Sequence, residues 1–436
     1  MPKKEKKTGL IFFPAFDWAI SANHPEREER LLYTQDQVFE EGLLDFPNIL
    51  EYKPGIATYA DINRCHICVP NPQNLTTNSH LISAGGAITA AQKVLTGEVD
   101  NAFALVRPPG HHSMLVAHGA RGFCNINIEA VMIEYIRHKF GVKRIAVVDT
   151  DCHHGDGTQD IYWNDPDVLC ISMHQDGRTL YPGTGFVDDF GGPNALGATI
   201  NIPLPPRTSD EGFLFALGHV ILPILDEFKP EIIINSAGQD NHYSDPITNM
   251  SFSAQGYALL NEKLAPDIAV LEGGYSIEKA LPYVNVGIIL AMAGLDYSQV
   301  QEPDYDAQRI RQSPEITRLI ENEVKNVMTL WKKKKNLKKQ ITGTAAYIRR
   351  EKSIYYDTDD ITEKQIETVR VCNDCGGLVM IESAADTGKK IYAVILPNSC
   401  CPECRENGEN IFDRINGSQY NHVYFQDRQR DVFIVK

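Results

Sequence analysis

A hydrophobic run, Ala146-Val147-Val148, leads into Asp149-Thr150-Asp151-Cys152-His153-His154-Gly155-Asp156-Gly157. Strand periodicity puts Asp149, Asp151 and His153 on one side of the chain as it leaves the strand. Carboxylate oxygens with an imidazole nitrogen form a good set for a divalent transition metal. The alternative is a strand end whose turn residues hydrogen bond locally. That reading is the weaker one, because so many acid and imidazole groups in so short a stretch would need partners inside the fold.

Three other segments share this layout. Ala102–Val106 runs into Arg107-Pro108-Pro109-Gly110-His111-His112, a rigid turn presenting two adjacent histidines. Histidine exchanges its proton near neutral pH, so a pair beside a metal can act as general base and general acid; standing alone, the pair would read as loop histidines. Ile233-Ile234-Asn235-Ser236-Ala237-Gly238-Gln239 ends at Asp240. By itself this aspartate suits a turn; as a third ligand it completes a two-Asp, one-His site with an open position for water, the mark of a catalytic metal. Val270-Leu271-Glu272-Gly273-Gly274-Tyr275 carries glycines that permit close backbone approach and a tyrosine. Its hydroxyl could donate to a developing oxyanion, or the ring could simply be packed.

The elements that must position these residues are strands alternating with helices. Short β-branched runs at Leu10–Phe13, Ala102–Val106, Arg144–Val148, Val168–Ser172, Glu231–Asn235 and Asp267–Leu271 predict buried strands. Ile128–Lys139 and Gly212–Phe228, the latter stopped by Lys229-Pro230, predict helices. The alternation argues for an α/β fold with a parallel sheet, whose function collects at the carboxyl ends of the strands. The pattern fades after Leu295, and a charged helix follows over Pro314–Lys339, ending in Lys332–Lys335, Lys338 and Lys339. The expected division is a catalytic domain over 1–300, a helical, lysine-rich linker or subdomain over 301–370, and a small zinc-ribbon-like domain over 371–436.

That last domain rests on cysteine spacing. Cys372-Asn373-Asp374-Cys375 and Cys401-Pro402-Glu403-Cys404 are two CxxC pairs separated as in a closed, structural four-thiolate zinc site. Such a metal would supply folding energy that so small a segment lacks. Cys400 competes with Cys401 or is a spare thiol. Cys65-His66-Ile67-Cys68 has no second half and reads as a buried pair.

Composition sets the outer bounds. The chain has 436 residues, 43% of them hydrophobic and 23% charged, which suits a large α/β enzyme with a small appendage. A formal charge of -15 argues against general nucleic-acid binding, although a local basic patch such as the lysine run could still bind. No apolar stretch approaches the ~20 residues of a membrane span. The cytoplasm is the expected compartment, with the ten cysteines reduced or metal-bound.

Taken in order, the motifs resemble those of the histone deacetylase family in the arginase/deacetylase superfamily, and of its class II and bacterial branch. The resemblance spans roughly Leu10 to Leu295 and adds His24-Pro25-Glu26, Gly122-Phe123-Cys124-Asn125 and Tyr181-Pro182-Gly183-Thr184-Gly185. It implies the arginase/deacetylase fold, a central mostly parallel sheet flanked by helices. It implies that Asp151, His153 and Asp240 hold a catalytic zinc, that His112 is the general base and acid and His111 its electrostatic partner, and that Asp149 and Asp156 orient His111 and His112. Tyr275 would polarise the substrate carbonyl. Phe123 and Tyr181 would line an acyl-lysine tunnel beside Gly122. A potassium ion is implied near Asp149, Asp151 and Ser172. An Asp/His/Asp set also accepts ferrous iron.

The expected reaction is hydrolysis of an acyl-amine, foremost acetyl-lysine in a protein or peptide. Alternatives are deacylation of a small acylated amine or metabolite, such as an acetylpolyamine, and tethering to a partner or nucleic acid through the zinc ribbon. Homo-oligomerisation stays open. Two stretches depart from the family pattern: Ser113–Arg121 is long and brings in His118 and Arg121, and Asn241–Pro246 replaces the usual run. Ile247 stands where a polyamine-selective relative has a glutamate.

Overall fold

The computed structural model describes residues 5–21, 23–308, 310–341 and 346–436, side chains of 338–341 excepted. The first part of the chain forms β1 (Thr8–Phe13), β2 (Ile49–Tyr52), β3 (Ile67–Cys68), β4 (Asn101–Val106), β5 (Val116–Ala117), β6 (Ile145–Asp149), β7 (Val168–Gln175), β8 (Thr199–Leu204), β9 (Ile232–Ala237) and β10 (Ile268–Leu271). Eight of these make one sheet in the order β2-β1-β4-β10-β9-β6-β7-β8, parallel throughout; β3 and β5 pair separately. Successive residues of each strand serve opposite faces. Leu10, Phe103, Leu105, Ala146 and Val148 enter one core, while Ile11, Ala102, Ala104, Val106, Ile145 and Val147 enter the other. Both faces are buried, which is why these strands read as unbroken apolar runs.

The helices are bounded by local chemistry. Ile128–Phe140 starts where the Asn127 side chain accepts the Ala130 N–H and ends at Gly141, whose φ of 70° is left-handed. The stretch Asp210–Phe228 is continuous through one π turn at Leu217–Ile221 and stops at Lys229 before Pro230. The lysine-rich helix spans Pro314–Ile341. It buries Ile320, Val324, Val327 and Trp331 against the main core, while Lys332, Lys333 and Lys335 face solvent. Lys334 donates to Glu227 at 2.7 Å, as does the Trp331 indole at 2.8 Å. The Lys338 and Lys339 side chains lie outside the described residues. Among the described residues no helix is long and apolar enough to cross a membrane.

A second sheet follows: β11 (Tyr347–Tyr356), β12 (Ile361–Arg370), β13 (Val379–Ala385), β14 (Lys390–Leu396), β15 (His422–Asp427) and β16 (Val432–Val435), hydrogen bonded in chain order. All its pairs are antiparallel except β14 and β15, which the helix Pro402–Arg414 connects. This corrects the expectation of a helical linker over 301–370, since 347–370 is a strand hairpin of the cysteine-bearing sheet. The reason is visible in β12, whose inward residues include Glu363, Gln365 and Glu367, all buried. Tyr356 donates to Glu363 at 2.6 Å and Arg350 to Glu367 at 3.0 Å. A strand with a polar inner face shows no apolar alternation to find. The second sheet is not a separate body. Val369, Ile381, Ile391, Ala393 and Tyr424 belong to the same core as β4 and β6.

One buried ion network ties the N-terminal segment to two central strand ends. Glu26 accepts from Arg107 Nε at 2.8 Å and from Arg30, and all three residues are fully buried. Arg107 also donates to the Pro14 and Ala15 carbonyls at 2.7 and 2.8 Å, and Arg30 donates to Gly274 O at 2.7 Å. Glu26→Ala would leave two guanidiniums without their carboxylate. The expected cost is about 3–5 kcal/mol, read as a lowered urea midpoint; an unchanged midpoint would show that the network is dispensable.

Candidate active site

The ends of β4, β10, β9 and β6, adjacent in the sheet, carry the four motifs to one place. Potential ligand atoms of Asp151, His153 and Asp240 lie within 4.8 Å of one another, all three residues buried. His153 Nδ1 is 2.8 Å from Asp240 Oδ2 and 3.1 Å from Asp151 Oδ1. Backbone N–H groups fix the carboxylates: Cys152 donates to Asp240 at 2.7 Å, Gly273 to Asp151 at 2.7 Å. A Cβ on Gly273 would come within 2.4 Å of Asp240 and 2.7 Å of Asp151, so only glycine lets β10 approach. Burial works to lower the His153 pKa, yet Asp240 and Asp151 push it up to about 10. Burial and then Asp151 push Asp240 up. Two buried carboxylates in contact call for a cation, and the donor set fits a divalent metal such as zinc.

The two histidines beside this set are backed by separate acids. His111 Nδ1–H donates to Asp149 Oδ2 at 3.0 Å and His112 Nδ1–H to Asp156 Oδ1 at 2.8 Å, with ring centroids 4.1 Å apart. Burial opposes the imidazolium at both. At His111 the charges of Asp151 and Asp149 overcome it and raise the pKa well above the ordinary value. At His112 burial wins, helped by the His111 charge, and the pKa falls to about 3. Arg121 pairs with Asp156 Oδ2, the oxygen that His112 leaves free. Glu272 Oε2 accepts the N–H groups of Gly110 and His111 at 2.7 and 3.1 Å, pinning this loop to the end of β10.

Above them is a pocket of about 210 Å³ walled by Gly122, Phe123, Leu180, Tyr181 and Ile247, with Asp357 beside them. Gly122 has φ +52°, and a Cβ there would lie 2.4 Å from the His112 ring. Tyr275 faces the pocket; its N–H donates to Asp245 Oδ2 at 2.8 Å and its ring lies 5.0 Å beneath the Arg30 guanidinium. Burial holds its hydroxyl protonated. Phe123 meets Tyr275 edge to face at 5.9 Å.

The catalytic and tunnel residues singled out in the sequence, with Asp151, His153 and Asp240, therefore gather at one site. Ser172 pairs with Asp149 in register, and its hydroxyl hydrogen bonds His174 at 2.8 Å. Arg30, Asp245 and Asp357 were not anticipated. Asp245 falls in a segment noted for departing from the family pattern, but neither Arg30 nor Asp357 carries a motif.

The other cysteines cluster apart. The sulfurs of Cys372, Cys375, Cys401 and Cys404 lie within 4.8 Å of one another, with Cys372 3.8 Å from Cys401 and 3.7 Å from Cys375. Sulfurs ~2.3 Å from a tetrahedral zinc sit about 3.8 Å apart, so the four fit a second metal. The Cys400 hydrogen bond first of all holds Cys375 down at about 4. Cys401, not Cys400, joins the set; its sulfur caps the helix Pro402–Arg414. Cys65 and Cys68 are buried thiols that burial pushes up, Cys68 to about 12.

Sheet order and site chemistry together are those of a metal hydrolase acting on linear amide bonds. The chain belongs to the histone deacetylase family: residues 68–286 match its histone deacetylase domain. A probable deacetylase of Archaeoglobus fulgidus is 43% identical over 325 residues, covering 68% of this chain and 89% of the relative. A histone deacetylase-like amidohydrolase of Pseudomonas aeruginosa is 35% identical, covering 53% of this chain and 66% of its own length. The acetoin utilization protein AcuC of Bacillus subtilis is 36% identical, covering 53% and 61%. The crystal structure of the HDA15 HD domain superposes with a TM-score of 0.65 at 26% identity, covering 78% of this chain and 99% of that one. The enzyme is a deacetylase of a family whose catalysis depends on zinc.

Two substitutions separate the metal sites. Asp240→Ala is expected to remove one metal per chain and leave the sulfur-bound one, and Cys401→Ser to do the reverse, both read by elemental analysis. Gly122→Ala is expected to keep both metals yet lower turnover about 100-fold by displacing His112. Full turnover in that variant would mean the histidine tolerates the shift.

Proposed function

We propose that the enzyme hydrolyses the acetyl-lysine amide of a protein or peptide. The observation that carries this reading is the placement of the His111–Asp149 and His112–Asp156 pairs beside the Asp151, His153 and Asp240 set, at the floor of a pocket whose Phe123, Leu180, Tyr181 and Ile247 walls suit an aliphatic side chain. Residues up to about 300 would form the catalytic unit, and the free state of all ten cysteines suits the reducing cytoplasm.

Asp151, His153 and Asp240 would hold a divalent cation, which would supply Lewis-acid polarisation at the amide. The chain's own groups do the rest. With Nδ1–H committed to Asp156, His112 has Nε2 free to accept the proton of the water. His111, held by Asp149, lies beside His112 with ring centroids 4.1 Å apart and orients the pair toward the metal-ligand set. The Tyr275 hydroxyl donates to the carbonyl oxygen as it becomes an oxyanion. Its backbone bond to Asp245 and the Arg30 guanidinium on its ring fix that hydroxyl's position. His112 then returns its proton to the departing lysine amine, and the aromatic walls keep bulk water from the reacting centre.

Tyr275→Phe removes the oxyanion donor alone. Its kcat on an acetyl-lysine peptide is expected to fall about 10²- to 10³-fold, with KM nearly unchanged. Failure of the wild-type enzyme to cleave any such peptide, with turnover of a small acylated diamine instead, would move the substrate to free amines.

A further inference from the structure

The β11–β12 turn of the second sheet reaches the mouth of the catalytic pocket. Asp357 Oδ1 accepts the Gly122 N–H at 2.9 Å and the Tyr181 hydroxyl at 3.1 Å, and Asp357 is the one carboxylate among the residues lining the pocket. Its other oxygen has no hydrogen-bond partner among the described residues. Its neighbours in the turn are committed differently: Asp359 accepts the Ala120 N–H at 2.6 Å and Asp360 the Tyr355 hydroxyl at 2.8 Å. The nearby cation, Arg121, is paired with Asp156 and donates to Tyr355 O at 2.8 Å. Asp156 and Arg121 cancel, which leaves the mouth with the acidic charge of this turn, of which Asp357 is the member that lines the pocket.

From this we propose that Asp357 is a specificity-determining residue that the second sheet contributes to the catalytic pocket, selecting acyl-amines that carry positive charge close to the scissile group. For a peptide this means basic residues flanking the acetyl-lysine. The inference rests on the amide-hydrolysis reading above and deepens it. A half-buried carboxylate attracts a cation a few ångströms away more strongly than a fully solvated one. The chain's net charge of -15 adds long-range attraction of the same sign.

The test compares kcat/KM of the full-length, metal-loaded enzyme on two acetyl-lysine peptides, one flanked by arginines and one by glutamates. Asp357→Asn keeps an acceptor oxygen for Gly122 and Tyr181 but removes the charge. The wild-type ratio of basic to acidic peptide is expected to exceed that of Asp357→Asn by about 5- to 10-fold, carried by KM, and to shrink as salt rises. Asp357→Glu should restore much of the ratio, and Asp359→Asn should leave it as in wild type. A residue that only braced Gly122 and Tyr181 would change kcat on both peptides and leave the ratio alone. An equal ratio in wild type and Asp357→Asn, a salt-independent wild-type ratio, or an equal loss in Asp359→Asn would each overturn the assignment. Absence of turnover on both peptides by wild type would instead fall on the amide-hydrolysis reading.

Discussion

Negative charge held where water is excluded is the constraint on which the structure turns. The strand ends of the first sheet bury Asp149, Asp151, Asp156, Asp240 and Glu272, and the N-terminal segment adds Glu26. An unpaired buried carboxylate is costly enough that each must find a cation, a set of N–H donors or a proton. Glu26 takes two arginines, Asp156 takes Arg121 and His112, Asp149 takes His111, and Glu272 takes two backbone N–H groups. Asp151 and Asp240 share His153 and backbone donors, a balance that leaves them a deficit of positive charge. The same distribution separates the two histidines: Asp151 and Asp149 overcome burial at His111, while burial and the neighbouring His111 charge prevail at His112. Metal affinity and the histidine pair are thus two results of one electrostatic arrangement.

Much of this was legible because parallel strands announce themselves. Residues buried on both faces must be apolar, so the runs at Ala102–Val106 and Ile145–Val148 end abruptly where polar groups begin, and the ends mark the site. The ribbon cysteines were legible for a similar reason, since thiolate spacing is set by the metal. What the sequence hid lies in long-range contacts. Arg30 belongs to no motif, yet from the helix Glu29–Glu40 it touches Gly274 and the Tyr275 ring, far away in the chain. Strands β11 and β12 were hidden because their inward face is built from Glu363, Gln365 and Glu367, polar groups that find partners largely within the hairpin: Tyr356 and Gln365 for Glu363, Arg350 for Glu367.

The second sheet also joins two requirements that look unrelated. Strand β12 ends at Arg370, two residues before the first cysteine of the sulfur cluster, and begins beside the turn that holds Asp357. At ~3.3 Å per residue the ten-residue strand is about 33 Å long. A metal at the four cysteines would secure one end of the hairpin, and the tunnel loop secures the other. Between them, Val369 and Ile381 sit in the core of the first sheet. The cysteine cluster is in this sense part of the scaffold of the pocket, although none of its four cysteines lines it.

The burial of Ser113–Arg121 has its explanation in the same contact. Every residue from Ser113 to Arg121 is buried, and a buried loop is normally excluded by its backbone polar groups. Here they are answered from two sides. Leu115 and Ala117 carbonyls accept from Ile67 and Val69 at 2.8 and 2.9 Å, on the side of β3. From the second sheet, the Tyr356 hydroxyl, shared between Glu363 and Val116 O, lies 2.8 Å from the latter, and Asp359 accepts from Ala120. Gly119 leaves no room for a side chain, since a Cβ would lie 2.7 Å from Asp359. Without the hairpin the loop would expose unsatisfied groups beside His112 and Gly122; without the loop the polar turn would have no seat. The long loop and the appended sheet are one structural unit, and the mouth of the pocket is built at their junction.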